Sequence, residues 1–262
     1  MGKHVREFKE HEAYAMLKIP PGIPFIVRCD GRNFRDLCDE VGFQKPYDEE
    51  FAKLMVGAAK SVFNSGFNPS LAYIQSDEVS YLFMRESAFN RRIEKLLSII
   101  PSTMSSYFSI QMLKKFGKEL SASFDARIVM LSKSDVIDYF IWRQMEAWRN
   151  HINSYAFYAL IRKGFSRRSA AQQLAGLKSE QLHELVFKEL GINLAKTPAW
   201  QRRGIVLRWK IVSRRGVNPL TGEVVEVKRR ILVEDWRPPL FSSPEGRKYI
   251  VEALEEAEKE IN

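Results

Sequence analysis

The order of elements along the chain predicts an α+β fold built on a ferredoxin-like unit, and three observations carry that reading. Apolar runs of strand length occur at residues 24–29, 71–75, 79–83 and 124–131. Helical spacing of apolar residues falls between the first and second runs and again between the third and fourth. After residue 132 the pattern changes to long helical stretches followed by two basic, strand-like segments. Strand, helix, strand, strand, helix, strand is the split βαβ arrangement. It accounts for residues 22–132 and defines a first domain, 1–132, with 133–262 as a helical and β-hairpin appendage packed on it.

Residues 6–18 read as a short helix stopped by Pro20-Pro21-Gly22. Pro24 to Cys29 is a buried strand ending at Asp30-Gly31. Asp48 with Glu49 and Glu50 starts a helix, and Phe51, Met55, Ala58 and Val62 mark its apolar face as far as Gly66. Leu71–Gln75 and Val79–Phe83 form two strands joined by a turn at Ser76-Asp77-Glu78. Ile93, Leu97, Ile100, Met104 and Tyr107 share one side of a helix that Pro101 is expected to kink or split. Phe124–Leu131 is the next strand. Val136 to Ala159 marks one long helix ending before Gly164, followed by helices at 166–176 and 178–190. Residues 204–213 and 223–233 make a hairpin around Asn218-Pro219-Leu220-Thr221-Gly222, and a charged helix from 244 closes the pattern.

Composition narrows the function. Among 262 residues, 41 Lys and Arg outnumber 32 Asp and Glu for a net charge of +9, which points to a polyanionic partner. No window has the roughly 18 apolar residues of a membrane span. Met1 to Glu7 lead into charge without an apolar stretch, so export is not expected. Cys29 and Cys38 make neither a disulfide framework nor a zinc site, and a reduced cytoplasmic setting is the expectation.

Two carboxylates stand out. Asp30 ends the first strand of the split unit, and Asp77 lies on the turn between its second and third strands. The first and third strands are neighbours in this topology, so both face one edge of the sheet. They repel unless a cation lies between them. Mg²⁺ takes carboxylate oxygens and substrate phosphates, and a metal pair suits in-line phosphoryl displacement. The plain alternative is two turn residues of a common kind. Gly31-Arg32-Asn33-Phe34-Arg35 can aim backbone N–H groups at a phosphate. Lys45, Arg91, Arg92 and Lys95 are candidate counter-charges.

Six segments then support a resemblance. Arg28–Phe34, Phe43–Pro46, Gln75–Phe83, Phe124–Arg127, Asp138–Gln144 and Trp200–Gly204 resemble, in order, motifs of the tRNA-His guanylyltransferase family. The resemblance implies a core similar to the palm of polymerases and nucleotide addition to the 5′ end of tRNA in the 3′–5′ direction. It implies two Mg²⁺ ions on Asp30, the Gly31 carbonyl and Asp77. Gly31, Arg32, Asn33, Phe34, Arg35, Lys45, Ser76 and Asp77 would hold the triphosphate, with Arg127 close to the incoming nucleotide. Asp30, Asp77 and Glu78 would form the catalytic set, Glu78 in support. ATP or GTP would activate the 5′-phosphate, and the 3′-OH of GTP or a template-matched nucleotide would then attack and expel AMP (or GMP). A homodimer or homotetramer is also implied.

One departure bears on specificity. Members devoted to tRNA-His carry His-Ile-Asn-Asn soon after Trp-Arg-Gln; here Trp148 stands at the histidine's place and His151-Ile152-Asn153 comes three residues late. This favours templated addition to several truncated tRNAs in repair or maturation, with strict addition of G to tRNA-His as the alternative. Arg202, Arg203, Arg214, Arg215, Arg229 and Arg230 are the expected tRNA contacts, and Arg162, Lys163, Arg167 and Arg168 form a second basic cluster. Trp200, Trp209 and Trp236 are read as packing residues. A nucleotide cyclase would need a Gly-Gly-Asp-Glu-Phe turn near 75–79, and an RRM-type RNA-binding module an Arg-Gly-Phe-Gly-Phe-type strand; neither string is present.

Overall fold

Phe25, Ile26, Val27 and Cys29 are apolar on both sides of the chain, and β1 (Phe25–Arg32) accordingly lies inside a sheet, its first three residues fully buried. The computed structural model describes residues 8, 11–85, 88–217 and 222–259. After β1 come α1 (Phe34–Val41), α2 (Glu49–Asn64), β2 (Leu71–Gln75), β3 (Glu78–Phe83), α3 (Ile93–Phe116) and β4 (Ser123–Met130). Then follow α4 (Asp135–Arg162), α5 (Arg167–Leu174), α6 (Ser179–Leu190), α7 (Ala199–Arg203), β5 (Ile205–Val217), β6 (Val224–Asp235) and α8 (Pro244–Glu258).

The six strands form one sheet in the order β4-β1-β3-β2-β5-β6, with every neighbouring pair antiparallel. Phe25, Val27 and Cys29 project to one face with Val79, Tyr81 and Phe83, and meet Leu54, Met55, Leu96, Ile100 and Phe108 of α2 and α3. Ile26 and Leu82 project to the other face, with Tyr73 and Val206, and meet Val136 and Phe140 of α4 and Ile250 and Ala253 of α8. Each buried aliphatic or aromatic side chain here contributes about 2 kcal/mol. Ile152, Tyr155, Leu182, Val186 and Leu194 form a third cluster between α4 and α6.

Local chemistry explains the boundaries. Asp48 accepts from Phe51 N through Oδ1 and from Gln44 N through Oδ2, which caps α2 and folds the preceding loop onto it. Gly204, at φ +74°, joins α7 to β5 where a Cβ would lie 2.6 Å from the Ile74 carbonyl oxygen.

Several expectations are corrected. Residues 11–18 do not form the second half of a helix; they are turns and an isolated bridge from Lys18 to Arg92, while residues 6, 7, 9 and 10 lie outside those described. A helix this short is marginal, and burial of Ile19 anchors the segment in an open form instead. The strand expected to end at Asp30-Gly31 runs to Arg32, and Glu78 opens β3 rather than completing the turn. The stretch expected as a phosphate-cradling turn at Gly31–Arg35 runs on into a helix, α1. α3 passes Pro101 as one continuous helix. The hairpin is not confined to an appendage, because β5 pairs with β2 and extends the sheet of the first half. Residues 218–221 of its turn lie outside those described. No helix among the described residues is long and apolar enough to cross a membrane.

Candidate active site

The register of β1 with its neighbours sets opposite Asp30 both Glu78 on β3 and Asp125 on β4. Directly opposed residues share a face, so three carboxylates stand in a row across three strands. One pair of residues along, Arg127 of β4 stands opposite Arg28 of β1. The two rows alternate in sign on the face that α4 covers. Asp77 joins them from the β2–β3 turn, where its carbonyl accepts from Gly31 N at 3.1 Å. Both expected carboxylates therefore meet at one end of the sheet. Burial raises the carboxyl pKa of Asp30, with Asp125 adding to it and Arg127, Arg28 and Arg143 opposing. Burial, then the charge of Asp30, pushes Asp77 up to about 6.

Glu78 is committed elsewhere. Its carboxylate accepts from Arg143 Nε at 2.9 Å and Nη2 at 2.6 Å, a two-pronged pair between two nearly buried groups. Gln75 Nε2 donates to the same carboxylate at 3.2 Å. Arg143 in turn lies 4.5 Å from the Trp142 ring centre. Glu78 thus fixes α4 against the sheet beside the carboxylates. Arg143 is the residue that motif reading passed over; its place in Trp142-Arg143-Gln144 was the available signal.

The stretch after Asp30 turns sharply. Asn33 sits in the left-handed region and caps α1 without a side-chain bond, while its carbonyl accepts from Asp36 and Leu37 N. The N–H groups of Phe34 and Arg35, ahead of those bonds, point out of the start of α1 as donors. The Phe34 side chain is not aimed at a ligand; it is buried among Phe51, Phe108 and Phe124. A Cβ on Gly31 would overlap that ring at 2.5 Å, so glycine lets Phe34 fold back beneath the turn. Arg32 and Arg35 are exposed, and Arg127 pairs with Asp125 at 3.2 Å.

Asp30, Ser76, Asp77, Arg35, Lys45 and Glu78 line a cleft of about 820 Å³ that continues along Asn150, Asn153 and Ser154 of α4 to α5 and α7. A pocket of this size suits a nucleotide-sized ligand. Lys45 Nζ lies 3.2 Å from Asp39, whose carboxyl is held below the ordinary range by Arg167 first and Lys45 after it.

Other expected contacts fall away from this cleft. Arg91 is a buried structural arginine that donates to the carbonyls of Ile19, Ile23 and Arg85 and lies over Phe25. Phe25 is at the other end of β1 from Asp30, about 16 Å away at strand rise, so Arg91 is corrected from phosphate partner to clasp. Arg92 and Lys95 both approach Glu94. Arg202 donates to the Thr197 carbonyl and Arg203 to that of Pro238, so both guanidiniums serve the fold. Arg230 donates to the Ala257 carbonyl and stacks on Trp209. Arg214, Arg215 and Arg229 are exposed. His151 is fully buried: Thr197 donates to the Leu194 carbonyl, so its oxygen accepts from His151 Nε2 at 3.0 Å. Burial, then Arg202, lowers the imidazole to about 4. Among the described residues no three His, Cys, Asp or Glu side chains group as a metal cage.

Comparison with known proteins adds to this geometry. The family model for tRNA-His guanylyltransferase, Thg1, matches residues 3–132, and the Thg1 C terminal domain model matches 134–237. A probable tRNA(His) guanylyltransferase of Drosophila melanogaster is 34% identical over 233 residues, covering 85% of this chain and 80% of that protein. The tRNA(His) guanylyltransferase of Neurospora crassa is 33% identical, covering 78% and 71%. A bacterial tRNA(His) guanylyltransferase (Thg1)-like protein in complex with ATP aligns at TM-score 0.74 and 27% identity over 94% of this chain and 97% of that one. The Saccharomyces cerevisiae enzyme aligns at TM-score 0.67 and 28% identity over 76% and 90%.

Proposed function

Because the chain belongs to the tRNA(His) guanylyltransferase family, we propose that it transfers guanylate to the 5′ end of tRNA-His, in the 3′–5′ direction. One observation carries the reading: Asp30 and Asp77 converge on a nucleotide-sized cleft at the end of a palm-like sheet, with the donor-rich start of α1 beside them. The named relatives are tRNA(His) guanylyltransferases, which supports this narrower activity over broad templated repair.

The donor set fits Mg²⁺. Asp30 and Asp77 converge on one end of the sheet with both carboxyl pKa values raised, even with three arginines acting on Asp30, and Mg²⁺ needs only one or two protein carboxylates beside water and phosphate. Asp30, Asp77 and the Gly31 carbonyl would hold it. When bound, it neutralises charge on the phosphates and on the oxygens entering and leaving. The chain itself does the positioning. Backbone donors at the start of α1, with Ser76 and Lys45, hold a triphosphate, while Gly31 N stays tied to the Asp77 carbonyl, and the Glu78–Arg143 pair keeps the carboxylate row in place. Arg127 approaches the nucleotide from β4. Residues 1–132 supply the carboxylates and 133–262 the far wall of the cleft.

A second reading has one observation in its favour. His151 is enclosed, so it cannot read RNA from the surface, and Trp148 stands where strict members carry histidine. Template pairing would then select the nucleotide. The test incubates the protein with Mg²⁺, ATP, labelled GTP and 5′-truncated tRNAs differing in the opposing template base. G joined only to tRNA-His, whatever the template, supports the first reading; a base that follows the template overturns it. No nucleotide joined to any tRNA overturns both.

A further inference from the structure

One carboxylate at the mouth of the cleft serves two cations. Asp39 of α1 accepts from the Arg167 guanidinium through Oδ2, and its Oδ1 lies 3.2 Å from Lys45 Nζ. Arg162 donates to the Lys45 carbonyl at 3.3 Å. These residues come from α1, the loop after it and the α4–α5 junction, and they hold three positive charges against one negative. Lys45 and Arg167 line the same cleft as Asp30 and Asp77. The Arg167 side chain is 56% exposed, and Asp39 is its ion-pair partner among the described residues.

Exposed pairs of this kind contribute little to stability. What the arrangement does is hold two cations at fixed places on a cleft wall, joined by an acceptor that a stronger one can displace. Phosphate is that stronger acceptor: it offers a doubly charged face that guanidinium binds in a planar fork and ammonium binds as a point charge. We propose that Arg167 is a phosphate-binding residue of this cleft, and that Asp39 positions it with Lys45 until a phosphate replaces the carboxylate. The inference rests on reading the cleft as the nucleotidyl-transfer site. Two sources share the chemistry, the triphosphate of the nucleotide and the 5′-phosphate of the RNA.

The experiment separates them. Arg167→Ala and Arg167→Gln are measured against GTP alone with Mg²⁺, and against a 5′-monophosphorylated tRNA, by direct binding and by KM. Binding in one arm should weaken about tenfold with kcat within twofold, since a lost charge-assisted bond is worth about that factor. The arm that moves names the source. Asp39→Asn should weaken the same arm about threefold, and Asp39→Asn with Arg167→Ala should be no weaker than Arg167→Ala alone. Arg149→Ala, an exposed α4 arginine paired with Glu146, is the control. Both arms unchanged within twofold would overturn the role of Arg167, and an additive double variant would overturn that of Asp39. Binding needs no turnover, so a wild type that binds GTP and RNA but joins nothing would sink the transferase reading separately.

Discussion

The two ends of β5 belong to one strand and treat arginine in opposite ways. Near Ile205 the strand abuts the cleft, and the arginines around it are spoken for: Arg143 by Glu78, Arg202 by the Thr197 carbonyl, Arg203 by that of Pro238. Arg214 lies about 30 Å further along at strand rise, and there Arg214, Arg215 and Arg229 stand in solvent. Charge density in sequence is similar at both ends. What differs is whether the sheet has a layer of protein above it: the arginines named at the covered end are taken up by protein acceptors, and those at the uncovered end stand in solvent.

Four changes would break or sharpen that contrast. The largest effect is expected at the carboxylates: Asp30→Ala or Asp77→Ala should lower nucleotide addition at least thousandfold, about 4 kcal/mol in barrier, while thermal melts in metal-free buffer stay level or rise because two crowded carboxylates become one. Activity within tenfold of the parent would end the metal reading. Next, Arg143→Ala leaves the nearly buried Glu78 without its two-pronged partner, with Gln75 and a more distant Arg28 remaining, and should reduce the unfolding free energy by about 3 kcal/mol in denaturant titration; a change under about 0.5 kcal/mol would show the pair to be solvated.

The third concerns pH. His151 has its imidazole pKa lowered in the folded state, so the unfolded chain takes up the proton first as pH falls through 6.5. Stability from this group is intact above that pH and is lost progressively toward pH 4, by about 3 kcal/mol at most. His151→Gln, which can still donate to Thr197, should flatten the fall between pH 6.5 and 4. The smallest effect belongs to the hairpin. Arg214, Arg215 and Arg229 changed together to Gln should weaken tRNA binding about tenfold and lower the slope of log affinity against log salt by up to three, since each phosphate contact releases about one counterion. Arg230→Ala should leave the slope alone and cost about 1 kcal/mol of stability.

Periodicity and turn residues revealed the strand order of the first half, because each local pattern there agrees with where the chain must go. Asp30 and Asp77 were legible for the same reason: topology alone brings the first and third strands together. Long-range pairing was not. Nothing local in Ile205–Arg208 says that β2 is its partner, so the hairpin read as an appendage. Arg91 looked like any basic residue beside Arg92; its burial depends on Phe25 and on carbonyls from two distant segments. The residues after Asp30 suggested donors but not a helix: Phe34, Leu37, Cys38 and Val41 do recur at helical spacing, but over only eight residues, directly behind a Gly-Arg-Asn turn that reads first as a phosphate cradle. The N-terminal segment erred the other way, where a helical pattern lost to the anchoring of Ile19.

The unequal support of β5 also has a consequence in time. Between Val206 and Arg208 it is laddered on both sides, by β2 and β6, and its apolar residues are buried. Trp209 is still fastened to the Pro69 carbonyl and the Phe63 ring, and from Lys210 onward β6 is the one strand neighbour of β5 among the described residues. A two-stranded ribbon opens far more readily than a sheet interior. Amide protons in one continuous strand should therefore exchange on widely separated clocks. Those at its root would wait for the whole molecule to unfold, while those beyond Lys210 would exchange during brief partings of the ribbon that leave the cleft undisturbed.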